Sequence, residues 1–132
     1  MTRILLDTSV YSALMTGHAA AAAAVREAEE IYLSAIVLGE LMGGFVRGSR
    51  RLKNERQLAE FMESPRVAVV DVDDDTAARY AVIYDAMRNA GTPIPTNDIW
   101  IAASAMQYGL RLVTLDAHFQ RVPQVLTDFL GR

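Results

Sequence analysis

A short apolar run that ends on an acid constrains the fold of this chain more than any other feature. The three residues Ile4–Leu6 are all apolar, which is typical of a short strand buried on both faces. Asp7 follows at once, where the burial should end. Open α/β sheets bind ligands at the carboxyl ends of their strands. Asp7 is therefore either a ligand-binding carboxylate or a cap of the next helix, which we predict over Val10–Met15 with Thr8 and Ser9 as its capping residues.

The rest of the chain alternates short apolar strands with helices. We predict further strands at Ile31–Leu33, at Val67–Val70, which we expect to be buried, at Leu110–Thr114, and at Val125–Leu126 as a short edge strand. The predicted helices run from Ala19, over Ile36–Val46 after a Ser34 cap, around Leu58, over Thr76–Asn89 and over residues 96–106, with Thr96 or Asn97 as the last cap. This alternation predicts a single α/β domain over residues 1–132, with about five parallel strands and helices on both faces.

The composition narrows the chemistry that such a domain can perform. The chain has 132 residues, of which 52% are hydrophobic, and it has no cysteine. Disulfides, thiolate zinc sites and cysteine nucleophiles are therefore excluded. His18 and His118 are the two histidines and lie far apart in sequence, so we expect no imidazole-rich metal site. Oxygen ligands would hold any metal, which favours Mg²⁺ or Mn²⁺.

The charge balance and the hydropathy bear on partners and location. Thirteen basic and 16 acidic residues give a net charge of −3. Proteins that bind nucleic acid by bulk charge are usually basic, so a nucleic-acid substrate here would require local basic patches or bound cations. No secretory signal is visible. The uncharged run Thr8–Val25 has about the length of a membrane span, but its polar residues indicate two short helices. We expect a soluble cytoplasmic protein with no membrane partner.

The densest basic stretch of the chain has two interpretations. It comprises Arg47, Arg50, Arg51, Lys53 and Arg56. Clustered basic side chains can contact the phosphates of a nucleic acid. An ordinary solvated helix face explains the same charges and is the commoner case.

Four acids are predicted on one edge of the sheet. Asp7 and Asp116 each follow an apolar strand, Glu40 lies one turn into a helix, and Asp98 lies in the first turn of another. In a parallel sheet, the ends of the strands and the starts of the following helices share one edge. Carboxylates gathered there repel one another and raise one another's pKa, and a divalent cation is the usual resolution. Taken singly, each acid is more often a helix cap than a metal ligand, and it is the combination of four on one edge that favours a site.

At four places the sequence resembles the acidic motifs of PIN-domain nucleases. These are Leu5-Leu6-Asp7-Thr8-Ser9, Gly39-Glu40-Leu41, Asn97-Asp98-Ile99-Trp100 and Leu115-Asp116-Ala117-His118-Phe119. The length of the chain, the proline-containing loop before the third motif and the ending Phe119–Pro123 are similar to the VapC toxins of bacterial toxin–antitoxin pairs. The resemblance covers nearly the whole chain, and four motifs in order are far more specific than one.

The resemblance implies a metal-dependent endoribonuclease with one or two Mg²⁺ or Mn²⁺ ions. The residues that match the acidic positions of the family are Asp7, Glu40, Asp98 and Asp116. Their implied role is to bind the metal and to orient the attacking water. Thr8 and Thr114 match polar positions, which implies contacts with phosphate or metal-bound water. His118 matches no required position, and we expect a partly buried or surface histidine rather than a catalytic base.

The resemblance also implies partners. The substrate would be tRNA or another structured RNA, which the residues Arg47, Arg50 and Arg51 would contact if the basic stretch is functional. The family further implies a homodimer and a small antitoxin, often bound through its C-terminal tail. An arginine of such a tail would neutralise the acidic pocket.

Two other functions remain open on the sequence alone. A non-catalytic module of the same fold would act through protein or nucleic-acid contacts. The absence of one of the four acids would favour this alternative, but all four are present. A phosphoryl-accepting α/β domain usually has a lysine near the phosphate. Lys53 is the only lysine of this chain, and it lies in the wrong kind of segment. Metal binding would distinguish the first alternative from a nuclease, and a covalent phosphate adduct would reveal the second.

Overall fold

Five parallel strands form one sheet in the computed structural model, which describes residues 2–131. The strands are β1 (Arg3–Leu6), β2 (Glu30–Ser34), β3 (Val67–Val70), β4 (Arg111–Thr114) and β5 (Thr127–Phe129). Their order across the sheet is β3-β2-β1-β4-β5, and every neighbouring pair is parallel. The predicted α/β fold with a five-stranded parallel sheet is confirmed. Residues 1 and 132, the ends of the predicted domain, lie outside the described residues.

In the described part of the chain, six α-helices and one 3-10 helix connect the strands. They are α1 (Thr8–Met15), α2 (Ala19–Glu27), α3 (Ala35–Arg47), α4 (Arg51–Met62), α5 (Asp74–Asn89), α6 (Thr96–Tyr108) and the 3-10 helix Ala117–Arg121. Parallel connections are right-handed, so the helices between β1 and β3 cover one face of the sheet. The chain then reverses direction, and the helices α5 and α6 that lead from β3 back to β4 cover the other face. Within the part of the chain that the structure describes, no helix is both long and apolar enough to cross a membrane.

The first strand is the centre of the sheet, as its apolar run predicts. Ile4, Leu5 and Leu6 are each at most 2% exposed, because β2 and β4 pair with β1 on its two sides. The order of the strands reverses between β1 and β4, and open α/β sheets bind ligands at such a point, outside the carboxyl ends of the strands. The residues that directly follow these two strands are therefore placed at the edge where a site is expected.

Two predicted helix caps are wrong. Helix α1 begins at Thr8, and Asp7 is its N-cap, with Oδ1 accepting the Val10 N–H at 2.9 Å. The backbone of Asp7 is extended, and its carboxylate reaches the unpaired N–H of Val10 in the first turn of the helix. The side chains of Thr8 and Ser9 therefore make other contacts. Helix α6 has Pro95 at its N-cap and no capping side chain. The cap predicted at Thr96 or Asn97 does not form, because both residues are already helical.

The two edge strands also differ from prediction. Strand β3 is only partly buried, since Val70 is in the core but Ala68 and Val69 are exposed where the sheet ends. Strand β5 forms at Thr127–Phe129 instead of Val125–Leu126, because β4 pairs there, with Leu112 opposite Thr127. Val125 is buried in the preceding turn, whereas Leu126 is 68% exposed.

Candidate active site

A cleft of about 270 Å³ opens at the carboxyl edge of the sheet, beside β1 and β4. Its lining residues are Asp7, Thr8, Ser9, Ser12, Glu40, Asp98, Ile101 and Asp116. Four separate segments of the chain supply the acids: the end of β1, the middle of α3, the first turn of α6 and the turn after β4. The topology thus brings together the four carboxylates that the sequence placed on one edge.

Asp7 is the innermost carboxylate of the cleft and is 3% exposed. Its Oδ1 accepts hydrogen bonds from the Val10 N–H at 2.9 Å and from the Ser9 hydroxyl at 2.7 Å. Its Oδ2 accepts a hydrogen bond from the Thr114 hydroxyl. Burial raises the pKa of Asp7, while these three hydrogen bonds oppose the rise. The carboxylate is both a helix cap and part of the cleft, so the two interpretations of Asp7 are compatible.

Two hydroxyls, one buried and one half-buried, join the ends of β1 and β4. Thr114, which is fully buried, donates to Asp7 Oδ2 and accepts the N–H of Asp116 at 2.8 Å. Ser9 donates to Asp7 Oδ1 and accepts the N–H of Leu115 at 3.2 Å. Each hydroxyl ties the acid of the first strand to the backbone that follows the fourth. Because the Thr114 hydroxyl donates its hydrogen bond to Asp7, it positions the carboxylate.

Glu40 is held at the open side of the cleft by two donors from neighbouring helices. The Thr8 hydroxyl donates to Oε1 at 2.6 Å, and the Asn97 side-chain amide donates to Oε2 at 3.3 Å. Glu40 itself is exposed. Thr8 lies at the start of α1 and Asn97 in the first turn of α6, so their contacts gather three helices around one carboxylate.

Asp98 and Asp116 face each other across His118. The imidazole Nδ1 of His118 lies 3.4 Å from Asp98 Oδ2 and 3.2 Å from Asp116 Oδ1. Asp116 is the N-cap of the 3-10 helix, and its Oδ1 accepts the backbone N–H of His118 at 2.9 Å. The sequence placed His118 among partly buried or surface residues, and its side chain is indeed 40% exposed. Its position between two acids was missed.

The roles of other polar residues in the site also escaped the sequence analysis. Ser9 and Asn97 were predicted only as helix caps, and Ser12 gave no signal beyond its polarity. For His118 a signal existed in the Asp-Ala-His spacing, because an Asp side chain in a turn accepts the backbone N–H two residues on, as Asp116 does here. The spacing alone did not show that Asp98 would lie opposite.

Like charges and burial perturb Asp98 most strongly. Burial, which is the largest cause, and the charges of Asp116 and Glu40 together raise its pKa to about 6, while His118 opposes the rise. Among residues 2–131, the arginine–carboxylate ion pairs are Arg3–Glu30, Arg51–Glu55 and Arg111–Asp128. None of them involves an acid of the cleft. The site therefore concentrates negative charge that no Lys or Arg of residues 2–131 neutralises.

The donor set fits a small, hard divalent cation. Carboxylate oxygens are the ligands that suit Mg²⁺ and Mn²⁺. Asp98, Asp116 and His118 each offer one ligand atom, and these three atoms lie within 4.8 Å of one another. The residues present are compatible with the metal that the family resemblance implies.

The basic stretch lies outside this cleft. Arg47 ends α3, Arg50 precedes α4, and Arg51 pairs with Glu55 at 3.2 Å. All three arginines are exposed, and none of them lines the cleft. Any role they have is therefore separate from holding a metal.

Replacing Asp98 by Asn should stabilise the metal-free protein. A rise in pKa from 3.8 to about 6 makes the ionised carboxylate costly by about 3 kcal/mol. Part of this is offset because Asn cannot keep the contact with His118, so we expect a gain of about 1–2 kcal/mol at pH 7.5. The folded state binds this proton more tightly than the unfolded state, so the wild-type free energy of unfolding falls as pH rises from about 4 to 6.

Urea unfolding in EDTA at pH 4.5 and 7.5 measures this difference. The gain of Asp98→Asn over wild type should shrink at pH 4.5, where the wild-type carboxyl is protonated. Asp85→Asn, on an exposed face of α5, is the matched control and should show no such gain. An Asp98→Asn variant less stable than wild type at pH 7.5 would contradict the electrostatic argument.

Comparisons with known proteins agree with this geometry. A family model described as PIN domain matches residues 4–125. The chain is 30% identical over 93 residues to Ribonuclease VapC4 of Mycobacterium tuberculosis, which covers 70% of this chain and 72% of that protein.

Solved structures share the whole fold. The structure of VapBC2 from Rickettsia felis, bound to a DNA fragment from its promoter, matches with a TM-score of 0.85 at 22% identity, covering 97% of this chain and 98% of that chain. VapBC-5 from Mycobacterium tuberculosis, a member of the VapBC family of toxin–antitoxin systems, matches over 100% of both chains with a TM-score of 0.74 and 22% identity. The chain belongs to the PIN-domain family and, within it, to the group that contains the VapC proteins.

Proposed function

We propose that this protein is an endoribonuclease that uses Mg²⁺ or Mn²⁺ to hydrolyse RNA phosphodiester bonds, as the toxin of a type II toxin–antitoxin pair. The observation that carries the proposal is the convergence of four carboxylates in one cleft with no Lys or Arg among the described residues paired to them. Similarity to a ribonuclease of the VapC group supports RNA as the substrate.

The metal would be held by Asp7, Glu40, Asp98 and Asp116, with one or two ions. A bound divalent cation supplies an acidified water molecule and neutralises charge on the phosphodiester. Its charge would also offset the two costs of ionising Asp98, which are burial and repulsion by the neighbouring acids. The chain's own carboxylates therefore favour the metal-bound state over the metal-free state.

The residues around the acids fix their positions before substrate arrives. Thr114 and Ser9 hold Asp7 from two sides, so its carboxylate is buried and rigid. Thr8 and Asn97 hold Glu40, which is the exposed acid of the set. A rigid inner carboxylate suits metal binding, whereas an exposed one at the mouth of the cleft suits orientation of the attacking water.

The partner that best fits this chain is a small antitoxin with a cationic segment. VapBC-5, whose fold this chain shares, is a toxin–antitoxin system. A cleft with uncompensated carboxylates would accept an arginine, since a guanidinium forms paired hydrogen bonds with carboxylates. We also propose the cytoplasm, where RNA is available, and a homodimer as the family resemblance implies.

The non-catalytic alternative is not favoured by the cleft. Holding four carboxylates close together lowers the stability of the folded protein, because the charges repel one another. A protein that only binds a partner does not require such an arrangement. In this chain all four acids line the same cleft, and Asp98 carries a perturbed pKa. Perturbed ionisable groups in a cleft are typical of functional sites.

Cleavage of a panel of labelled structured RNAs, including tRNA, tests the proposal. The purified protein should cut at least one RNA in Mn²⁺ and none in EDTA. Asp7→Asn and Asp98→Asn should each lower the rate by roughly a hundredfold or more, because each removes a carboxylate that holds the metal. Circular dichroism should show that both variants are folded.

Asp85→Asn is the matched control for charge, because Asp85 lies on the exposed face of α5 outside the cleft. It should cleave at the wild-type rate. Cleavage by Asp98→Asn at the wild-type rate, or cleavage that EDTA does not affect, would overturn the metal-site assignment.

The exposed arginines at the end of α3 and the start of α4 are proposed to contact the RNA backbone. Replacing Arg50 and Arg51 together by Ala should weaken RNA binding several-fold. The slope of the logarithm of the binding constant against the logarithm of the salt concentration should fall by an amount that corresponds to roughly one to two phosphate contacts. Stability should change little, because the single ion pair lost, Arg51–Glu55, is exposed. Binding would be measured on the Asp98→Asn background so that RNA is not cut.

The double variant Arg79→Ala with Arg88→Ala removes the same charge from α5 and is the control. If both double variants bind RNA equally, the basic stretch is an ordinary solvated helix face.

A further inference from the structure

We infer that His118 is itself a ligand of the metal, through Nδ1, together with the carboxylates of Asp98 and Asp116. The inference rests on the divalent-metal site proposed above and adds a nitrogen ligand to it. A nitrogen ligand also changes the relative affinity of the site for Mn²⁺ and Mg²⁺, compared with a site of four carboxylates alone.

The spacing of the three side chains suits a shared ion. Nδ1 lies 3.2 Å from Asp116 Oδ1 and 3.4 Å from Asp98 Oδ2. Ligands on adjacent corners of an octahedron with bonds of about 2.1 Å lie roughly 3.0 Å apart. Direct hydrogen bonds between a cationic nitrogen and a carboxylate are shorter than these contacts, at about 2.7–2.9 Å. The imidazole therefore stands beside both acids at ligand-to-ligand separations.

The backbone of the 3-10 helix holds the imidazole in this place. Asp116 caps the helix and accepts the N–H of His118 at 2.9 Å. The next residue, Phe119, is 1% exposed and anchors the turn in the core. His118 itself remains 40% exposed, so it is not a core side chain. Packing thus explains the position of Phe119 but not the direction of the His118 imidazole toward two acids.

An imidazole ligand changes which metals the site prefers. Carboxylate and water ligands suit both Mg²⁺ and Mn²⁺. Imidazole nitrogen is a ligand for first-row transition metals, the series that begins with Mn²⁺, whereas Mg²⁺ is a hard cation that takes oxygen ligands. A site with one nitrogen ligand should therefore bind Mn²⁺ more tightly relative to Mg²⁺ than an all-oxygen site does. Removing that nitrogen should weaken Mn²⁺ binding more than Mg²⁺ binding.

Electron paramagnetic resonance of Mn²⁺ tests the inference without any RNA. The protein would be prepared without a histidine tag, and pulsed spectra would be searched for coupling between Mn²⁺ and an imidazole ¹⁴N. Titration of the free Mn²⁺ signal gives the Mn²⁺ affinity, and competition by Mg²⁺ gives the Mg²⁺ affinity. Wild type, His118→Asn and His18→Asn would be compared.

His18→Asn is the matched control, since His18 caps α2 outside the cleft and Asn preserves a cap. Nitrogen coupling should be present in wild type and His18→Asn and absent in His118→Asn. The Mn²⁺ dissociation constant of His118→Asn should rise about tenfold or more. Its Mg²⁺ dissociation constant should change less than about threefold.

Each other outcome overturns a defined part of the account. Mn²⁺ that binds wild type without nitrogen coupling, or coupling that persists in His118→Asn, removes His118 from the ligand set and leaves the carboxylate site standing. Failure of wild type to bind Mn²⁺ at all overturns the metal site, and the inference with it.

Discussion

The hydrogen bond from the buried Thr114 hydroxyl to the buried Asp7 carboxylate is the interaction on which the site depends. It joins the end of β4 to the end of β1, and Thr114 also receives the N–H of Asp116. A buried carboxylate is tolerated only when its lone pairs are satisfied, and here three donors satisfy them. Asp7 therefore stays inside the sheet edge, and the turn that carries Asp116 and His118 follows from the same contact. Without this hydroxyl, Asp7 Oδ2 would lose its hydrogen-bond donor and the N–H of Asp116 would lose its acceptor.

The inner part of the fold was predictable because its residues carry strong local signals. The apolar run Ile4–Leu6 is typical of a central strand and is buried as one. Ser34 before an apolar helical stripe is a clear cap, and its hydroxyl accepts the Val37 N–H. The edge elements were not predictable from such signals. Strand β5 has three residues and half-buried side chains, so its position is decided by pairing with β4 rather than by its own sequence. Strand β3 is as apolar as a buried strand, but its exposure depends on where the sheet ends.

The site was predictable in its acids but not in the side chains that hold them. Asp7, Glu40, Asp98 and Asp116 could be grouped because the topology of a parallel sheet gathers the ends of strands and the starts of helices. The donors to Glu40, however, come from residues 32 positions before it and 57 positions after it in sequence. Such contacts follow from the packing of α1 and α6 against α3, which no local pattern encodes. His118 shows the same limit, because its link to Asp98 is a tertiary contact between α6 and the 3-10 helix.

The central claim is that these converging carboxylates hold a divalent cation in the cleft. Anomalous diffraction from a crystal grown with Mn²⁺ and measured near the manganese absorption edge tests the claim most directly, because it locates the ion independently of any substrate. The account predicts an anomalous peak within bonding distance of Asp98 and Asp116, in the cleft that Asp7 and Glu40 also line. A cleft without anomalous density at saturating Mn²⁺ would contradict it.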